Sequence, residues 1–413
     1  MSIRCSCSLL ILASLTLTPV ASADDWPAFR GVERDGISKE SGLLKEWPEG
    51  GPTKAWTSSD AGIGYSSFAV VGNRLYTMGA DDDNEYIIAL DAANGKKVWQ
   101  ASVGKRLTNR WGDGSRSTPA VSGNFVIGLG ATGGLYCVNA TDGSLKWSVE
   151  MKDLGGKAPN WGYSESPLVD GDTVLCTPGG DAGTVAAFQL QSGEKLWQSD
   201  EIKANAHYSS IVPVDHFGKR QYIQLTQNKV FGLDTDGKLK WQADWPKGKT
   251  AVIPTPIYDN GNVYVTSGYS AGCMLINVDA SNNVTQVYDN LLMQNHHGGV
   301  IKFGDHIYGN TKGRGWICQD MQSGEVVWFE KSKLKKGAIA FADGMFYCLD
   351  ETNGTCALIE ASNEGWNERG RLVIEPQTKQ RSARGKIWSH PVIANGKLYL
   401  RDQEIVCCYN IKG

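Results

Sequence analysis

The chain has 413 residues, of which 41% are hydrophobic and 21% are charged, and its formal net charge at pH 7 is −3. With 49 glycines it has the composition of a globular protein with many turns. It lacks the basic excess that attracts polyanions, which argues against nucleic acid as a partner.

The first 23 residues are predicted to be a signal peptide. Arg4 supplies a positive charge, residues 9–20 form an apolar stretch too short to span a bilayer, and Ala21-Ser22-Ala23 is a cleavage signal. Both cysteines of this segment precede the apolar stretch, so neither is placed to carry a lipid anchor. We therefore expect a periplasmic or secreted protein that starts at Asp24, with no membrane span and no lipid anchor.

Residues 24–49 form a lead-in segment before the first regular pattern. It contains DDWPAFRGVERDG, and we expect Trp26 and Arg30 to pin it onto the domain that follows. That domain, residues 50–413, is predicted to be a single unit.

A motif, ALDAANGKKVW, ends at Trp99 and returns along the chain in register. A glycine stands four residues before the tryptophan in each complete copy. The later copies end at Trp147, Trp197, Trp241 and Trp328, and an incomplete one ends at Trp56. Successive tryptophans lie 43 to 50 residues apart, except for a last interval of 87 residues that Tyr288 divides. Such a period, with short strands and Asn-Gly or Asp-Gly turns, predicts β-propeller blades of four antiparallel strands.

Seven whole units and an eighth that lacks its tryptophan strand can be counted. The segment around Trp56 has a tryptophan strand with no unit before it, so the two termini can complete one blade. Closing the ring in this way removes two sheet edges. The prediction is an all-β, eight-bladed propeller, and a seven-bladed ring is the alternative.

The repeated tryptophans are interpreted as clamps between blades. A glycine has no Cβ to hold an indole ring away, so the fixed glycine-to-tryptophan spacing suits packing more than ligand binding. The residues assigned to this role are Trp56, Trp99, Trp147, Trp197, Trp241 and Trp328.

Eight cysteines follow the predicted signal peptide, and most fall on small core positions of the repeat. A hairpin disulfide between Cys348 and Cys356 is left open, as are bonds between neighbouring blades. Cys407 and Cys408 are adjacent, but consecutive strand residues point to opposite faces.

ALDAANGKKVW and its copies resemble the pyrroloquinoline quinone (PQQ)-like propeller repeat, which quinoprotein alcohol dehydrogenases share with the assembly factor BamB. For the dehydrogenases the resemblance implies PQQ, a calcium ion held by Glu, Asn and Asp, and a vicinal cysteine pair from an early blade. Here the adjacent cysteines lie at the C-terminus, and the sequence has no C-x-x-C-H haem motif. For BamB the resemblance implies a scaffold.

The loops that lead into each innermost strand gather at one mouth of a propeller, where ligands bind. Aromatic rings beside a carboxylate and a guanidinium could hold a planar or polyhydroxylated ligand by stacking and bidentate hydrogen bonds. The predicted ligand-binding residues are Trp111, Asp113, Arg116, Trp161, Tyr163, Glu165, His207, Tyr208, His296, His297, Trp388 and His390. Alternatively, Arg116 pairs with Asp113 or Glu165 and only orders the loops.

The histidines of these loops could bind a transition metal, but nothing in their spacing requires one, and no metal site is predicted. The last loop is basic, with Arg381, Arg384 and Lys386, and is interpreted as solvated rather than as an anion site.

Two functions follow from these patterns. The first is a monomeric, non-catalytic module that binds a protein or a carbohydrate-like ligand at the mouth. The second is a PQQ- and calcium-dependent oxidoreductase acting on alcohols or sugars. In that enzyme Trp161 or Trp388 would stack on the quinone, and Asp113 or Glu165 would assist calcium or act as the base.

Overall fold

The computed structural model describes residues 25–245, 248 and 250–413. In this part of the chain, eight sheets each contain four strands in sequence order and pair antiparallel, which is the arrangement of propeller blades. The eight-bladed prediction is confirmed and the seven-bladed alternative is wrong. The predicted signal peptide lies outside the described residues.

The strands of the first four blades run from the channel outwards. Blade one contains Ala69–Val71, Arg74–Ala80, Asn84–Asp91 and Lys97–Lys105, and blade two contains Ala120–Ser122, Phe125–Leu129, Gly134–Asn139 and Leu145–Glu150. Blade three contains Leu168–Asp170, Thr173–Cys176, Ala186–Gln189 and Lys195–Gln198, and blade four contains Val212–His216, Lys219–Leu225, Lys229–Asp234 and Leu239–Asp244. A 3-10 helix, Met151–Leu154, follows the second blade.

The last four blades follow the same order. Blade five contains Ile257–Asp259, Asn262–Ser267, Gly272–Val278 and Val284–Asn290, and blade six contains Val300–Phe303, His306–Thr311, Gly315–Asp320 and Val326–Glu330. Blade seven contains Gly337–Ala342, Met345–Asp350, Thr355–Glu360 and Glu368–Val373. Blade eight contains Val392–Ala394, Lys397–Asp402 and Ile405–Asn410, and its outermost strand is Lys54–Ser58 from the N-terminal side. The eighth blade thus closes as predicted, with Trp56 opposite Cys408.

The hydrophobic core is divided into eight layers, each between two consecutive blades. One layer joins blades one and two through Met78, Trp99 and Val126, and another joins blades eight and one through Tyr399 and Leu75. Burying each such side chain contributes about 1.5–3 kcal/mol. Hydrophobic packing between neighbouring blades therefore stabilises the propeller, and the side chains of the central channel are not needed for it.

The tryptophan clamps bridge each blade to the next. Trp99 of blade one lies on Gly143 of blade two, where a Cβ would come 2.7 Å from the ring, and its Nε1 donates to Ala140 O at 3.0 Å. Trp56, Trp147 and Trp197 repeat this geometry, and Tyr288 replaces the tryptophan in blade five, with its hydroxyl donating to the next blade. In blade six, the indole of Trp328 donates to the seventh blade.

Trp241 departs from the predicted clamp. The following blade has Asn282 where other blades have the glycine, and a side chain there leaves no flat surface for an indole. Trp241 Nε1 instead donates to Gln221 Oε1 at 2.9 Å within its own blade, and Gln221 Nε2 donates to Asn282 Oδ1 at 2.9 Å. The bridge to the next blade is therefore polar at this position.

Hydroxyl groups join the innermost strands of the first four blades around the channel. The backbone N–H of Ser67 donates to Thr118 Oγ1 at 3.0 Å, that of Thr118 to Ser166 Oγ at 2.9 Å, and that of Ser166 to Ser210 Oγ at 3.0 Å. The relay satisfies backbone donors that have no strand partner at the mouth.

The lead-in segment crosses the channel. Trp26 bridges to Val70 of blade one, Arg30 donates to the carbonyl of Val300 in blade six, and Arg34 donates to Pro167 O at 2.9 Å in blade three. Further along, Ile37–Ser38 pairs parallel with Phe341–Ala342 of blade seven. Since these blades lie on different sides of the ring, the segment closes the channel from within.

All eight cysteines of the described part are free and buried. Cys348 lies opposite Ala357, and Cys356 lies opposite Leu349, so the two thiols project from opposite faces of the hairpin and form no cross-link. Within the described ranges, no helix is long and apolar enough to cross a membrane.

Candidate functional site

A cavity of about 240 Å³ opens at the mouth where the loops enter the innermost strands. Phe29 of the lead-in closes it from below. The lining consists of Phe29, Tyr65, Ser67, Trp111, Arg116, Thr118, Trp161, Ser164, Tyr208, Ser210, Thr250, Ala251, Ile253, Tyr269, His297, Trp388 and His390. Aromatic rings supply most of its surface, with hydroxyls and one guanidinium between them.

The structure brings together seven of the twelve predicted binding residues. These seven are Trp111, Arg116, Trp161, Tyr208, His297, Trp388 and His390. The other five, Asp113, Tyr163, Glu165, His207 and His296, lie around the cavity without lining it. Tyr163, for example, is buried between blades two and three, where its hydroxyl donates to Pro178 O at 3.0 Å.

Two tight turns present the tryptophans to the cavity. Gly112 N donates to Asn109 O at 2.8 Å, and the Asn109 side chain accepts from Trp111 N at 3.0 Å. Gly112 has a φ of +130°, and a Cβ on it would overlap the hydroxyl of Tyr65. Trp161 occupies the same place in a second turn, ahead of Gly162. The glycine therefore allows each indole to stand at the mouth.

The rings of the lining contact one another. Trp388 stacks on His297 with centroids 4.8 Å apart and lies 4.9 Å from Tyr65. Trp161 and Tyr208 are 5.7 Å apart. These contacts support Trp161 and Trp388 on one side, which favours a preformed aromatic pocket.

Arg116 does not form either ion pair that the sequence allowed. Its guanidinium donates to Gly112 O at 2.7 Å and Gly114 O at 2.8 Å, and it lies 5.4 Å from the centre of the Tyr65 ring. Asp113 pairs with Arg106 at 3.0 Å instead. Burial lowers the pKa of Arg116, which places a desolvated cation at the cavity wall.

Glu165 is buried close to Arg34 of the lead-in and does not line the cavity. Burial raises its pKa to about 8, although a hydrogen bond from Thr177 and the charge of Arg34 act in the opposite direction. At neutral pH its carboxyl is therefore largely protonated. A neutral acid that does not line the cavity is poorly placed to hold calcium there.

The predicted histidines are spread over several environments. His207 Nδ1 accepts from Val252 N at 2.9 Å, and His296 stacks on Tyr269 at 4.5 Å. Burial lowers the pKa of His207 and His296 to about 4 and that of His390 to about 3, so all three are neutral at pH 7. In the part of the chain that the structure describes, no three His, Cys, Asp or Glu side chains are grouped to hold a metal ion.

Several lining residues were not among the predicted ones. Tyr65 lies in a loop that the sequence placed at the mouth, but nothing there distinguished it from a core residue. Tyr269 follows the second strand of blade five, outside the loops considered, and Phe29 belongs to the lead-in. Only the path of the lead-in through the channel brings Phe29 to the floor.

An eight-bladed propeller with a ligand-sized cavity at its mouth defines the class of protein. The family model described as "Outer membrane protein assembly factor BamB" matches residues 83–330, more than half of the chain. The chain belongs to this family of PQQ-like propellers.

Individual relatives include both kinds of protein that the repeat resembles. BamB of Moranella endobia (strain PCIT) is 25% identical over 297 residues, which are 69% of each chain. The quinoprotein alcohol dehydrogenase PedH of Pseudomonas putida KT2440 is 27% identical over 285 residues, 65% of this chain and 43% of that protein. The match therefore spans less than half of the dehydrogenase.

Solved structures share the fold. BamB from Moraxella catarrhalis superposes with a TM-score of 0.56 at 15% identity, covering 81% of this chain and 94% of that one. Quinohemoprotein alcohol dehydrogenase from Comamonas testosteroni gives a TM-score of 0.65 at 11% identity, covering 94% and 81%. At these identities the likeness concerns architecture alone.

The lining does not fit the calcium ion that the dehydrogenase resemblance implies beside the quinone. Among the described residues, no Asp or Glu lines the cavity, so calcium would find no carboxylate ligand there. Cys407 and Cys408 are buried in separate core layers on opposite faces of one strand, away from the mouth. No catalytic step through PQQ is derived from this site.

Proposed function

We propose that the protein is a non-catalytic binding module whose mouth cavity holds a single-ring, carbohydrate-like ligand. The observation that carries the proposal is the cavity itself: about 240 Å³, closed from below and walled by aromatic rings that contact one another. Its volume lies just below the range of small-molecule pockets, roughly 300 to 1,000 Å³, which suits a ligand of one ring.

The chemistry of the lining suits such a ring. Flat aromatic faces pack against the C–H face of a sugar or against a planar ring, and a few polar groups fix its orientation. The cavity offers the hydroxyls of Ser164 and Ser210 and the guanidinium of Arg116 for that purpose. The two acids considered as catalytic candidates from the sequence, Asp113 and Glu165, are not among the lining residues.

A protein partner is the second candidate, and family membership favours it because the family is described as an assembly factor. The outermost strands of the blades also carry exposed apolar side chains, among them Leu145, Leu196 and Phe329. A partner that binds these strands would leave the cavity free, so ring binding and partner binding can be measured separately.

Calorimetric titration of the full chain tests the proposal. D-glucose, methyl glucoside and phenol serve as neutral ring probes, and we expect saturable binding of at least one of them with one site per chain. In parallel the protein is mixed with PQQ and calcium, and quinone absorbance and dye-linked alcohol oxidation are recorded. Stoichiometric PQQ binding with turnover would contradict the proposed binding module and support the oxidoreductase instead.

A further inference from the structure

We infer that the cavity selects rings that carry a carboxylate group, since three guanidinium groups converge on its rim without carboxylate partners. They belong to Arg110, Arg116 and Arg384. This inference rests on the proposed function and names the chemical class of its ligand.

The three cations lie on one side of the mouth. Arg110 and Arg384 stand over the ring of Trp111, with Cζ 5.9 Å and 5.6 Å from its centre. Arg116 stands 5.4 Å from the centre of the Tyr65 ring, and Tyr65 donates to Trp111 O at 2.9 Å. The two aromatic residues therefore hold three guanidinium groups next to the place where a ring would bind.

Three acids near the mouth form ion pairs with other cations, whereas the buried Glu85 accepts hydrogen bonds from Ser115 Oγ at 2.8 Å and Ala131 N at 2.9 Å, and its charge raises the pKa of Arg116. The pairs are Asp113 with Arg106 at 3.0 Å, Glu351 with Lys336 at 3.1 Å, and Asp402 with Arg381. Across the described residues, no ion pair involves the three rim arginines. The chain as a whole carries a net charge of −3, so the positive rim is a local feature and not a consequence of composition.

Arg116 gives the strongest reason to expect an anion. It is largely desolvated, and two of its five N–H groups donate to the neutral carbonyls of Gly112 and Gly114. The charges of Glu85 and Asp113 raise the pKa of Arg116 from a distance, but neither forms an ion pair with it. A ligand carboxylate could accept two parallel hydrogen bonds from the planar guanidinium. A ligand carboxylate would thus supply the direct ion-pair partner that Arg116 lacks among the described residues.

His390 could fix the orientation of a bound ligand ring through its free ring nitrogen. Its Nε2 is 2.8 Å from His297 O and must donate to it, which leaves Nδ1 as an acceptor without a partner among the described residues. The side chain is buried and lines the cavity. A ring that has a carboxylate on one side and a hydroxyl on the other would satisfy both residues, as uronic acids and hydroxybenzoates do.

The test compares matched acids and neutral rings by calorimetric titration of the full chain. D-glucuronate is paired with D-glucose, and 4-hydroxybenzoate with phenol, so that the two arms separate a sugar from an aromatic source. A hydrogen bond to a charged group predicts at least about tenfold tighter binding of the acid in one pair. The preference should fall as sodium chloride rises from about 20 mM to about 300 mM, since the rim is open to solvent.

Variants locate the preference. Arg116→Gln should lower the ratio of acid to neutral affinity about tenfold, and Arg110→Gln with Arg384→Gln should lower it several-fold without affecting folding, because both side chains are exposed. Arg369→Gln is the matched control, since it removes an exposed arginine from the outermost strand of blade seven. The control should keep the wild-type ratio.

Two results would overturn the inference. Equal affinity for the acid and the neutral member of both pairs would show a ring site without anion selectivity, and the proposed function would stand. An acid preference that survives in the double variant and in Arg116→Gln would place the anion elsewhere. If Arg116→Gln fails to fold, the double variant decides. Binding of no ring at all would overturn the proposed function as well.

Discussion

At the level of single residues, aromatic rings line the cavity, whereas the two carboxyl groups predicted at the site do not. Trp111, Trp161 and Trp388 could be predicted because each stands in a mouth loop outside the repeated clamp position. Asp113 and Glu165 share those loops, but Arg106 pairs with the first and burial keeps the second neutral. Neither the ion pair of Asp113 nor the burial of Glu165 could be recognised from the residues beside them in the sequence.

Glu165 makes the stability of the protein depend on pH. Its pKa is about 8 in the folded chain and near 4.3 when unfolded, so between these values the folded state binds the extra proton. This group therefore destabilises the fold as pH rises from about 5 to 8, by at most about 1.4 kcal/mol per pH unit. Glu165→Gln should remove that component.

The measurement is urea unfolding of wild type and Glu165→Gln at several pH values. The difference in unfolding free energy should grow in favour of the variant towards pH 8. Glu364→Gln, an exposed acid, is the control and should show no such trend. A constant difference across this range would mean that Glu165 is ionised in the folded protein.

At the scale of elements, the blade-to-blade clamp was predictable because its glycine and tryptophan recur at fixed spacing. Trp241 does not form the clamp because the next blade has Asn282 in place of the glycine. This replacement is visible in the sequence, where the motif is interrupted in blade five. The route of the lead-in was not predictable. It occurs once, has no repeat to compare with, and its bonds to blades one, three and six connect residues far apart in sequence.

The clamp can be tested by adding one methyl group. Gly143→Ala places a Cβ 2.7 Å from Trp99 at a φ of +74°, whereas Gly123→Ala has a similar positive φ of +53° and nothing within 4 Å. Backbone strain is common to both variants, so their difference reports the lost contact. We expect Gly143→Ala to be less stable than Gly123→Ala by about 1–3 kcal/mol in urea unfolding. Equal stability would show that the indole can shift without cost.

At the scale of the whole molecule, the number of blades and the closure by both termini were predictable, because a repeat period and an incomplete first and last unit are properties of the sequence alone. What the period could not show is how the closed ring is held. Arg401 of blade eight is buried at the junction with blade one. Its guanidinium donates to Thr77 Oγ1 at 2.6 Å and Met78 O at 2.8 Å, and to carbonyls of the loop that precedes blade one.

Replacing Arg401 should destabilise the contact between blades eight and one. Arg401→Met keeps much of the side-chain volume but leaves several buried carbonyls without donors, and we expect a loss of about 3–5 kcal/mol in the free energy of unfolding. Arg371→Met, at an exposed ion pair on blade seven, should cost less than about 1 kcal/mol. Similar losses in the two variants would contradict the role of Arg401 in closure.

If the mouth cavity binds a ring, replacing Trp161 by alanine should weaken the binding of the ring probe that wild type binds most tightly. Trp366→Ala is the control, because Trp366 packs against Trp316 at the layer between blades six and seven and does not line the cavity. We predict at least about a tenfold loss of affinity in Trp161→Ala, with a melting temperature close to wild type, and no loss in the control. Unchanged affinity in Trp161→Ala, or an equal loss in both variants, would contradict the account.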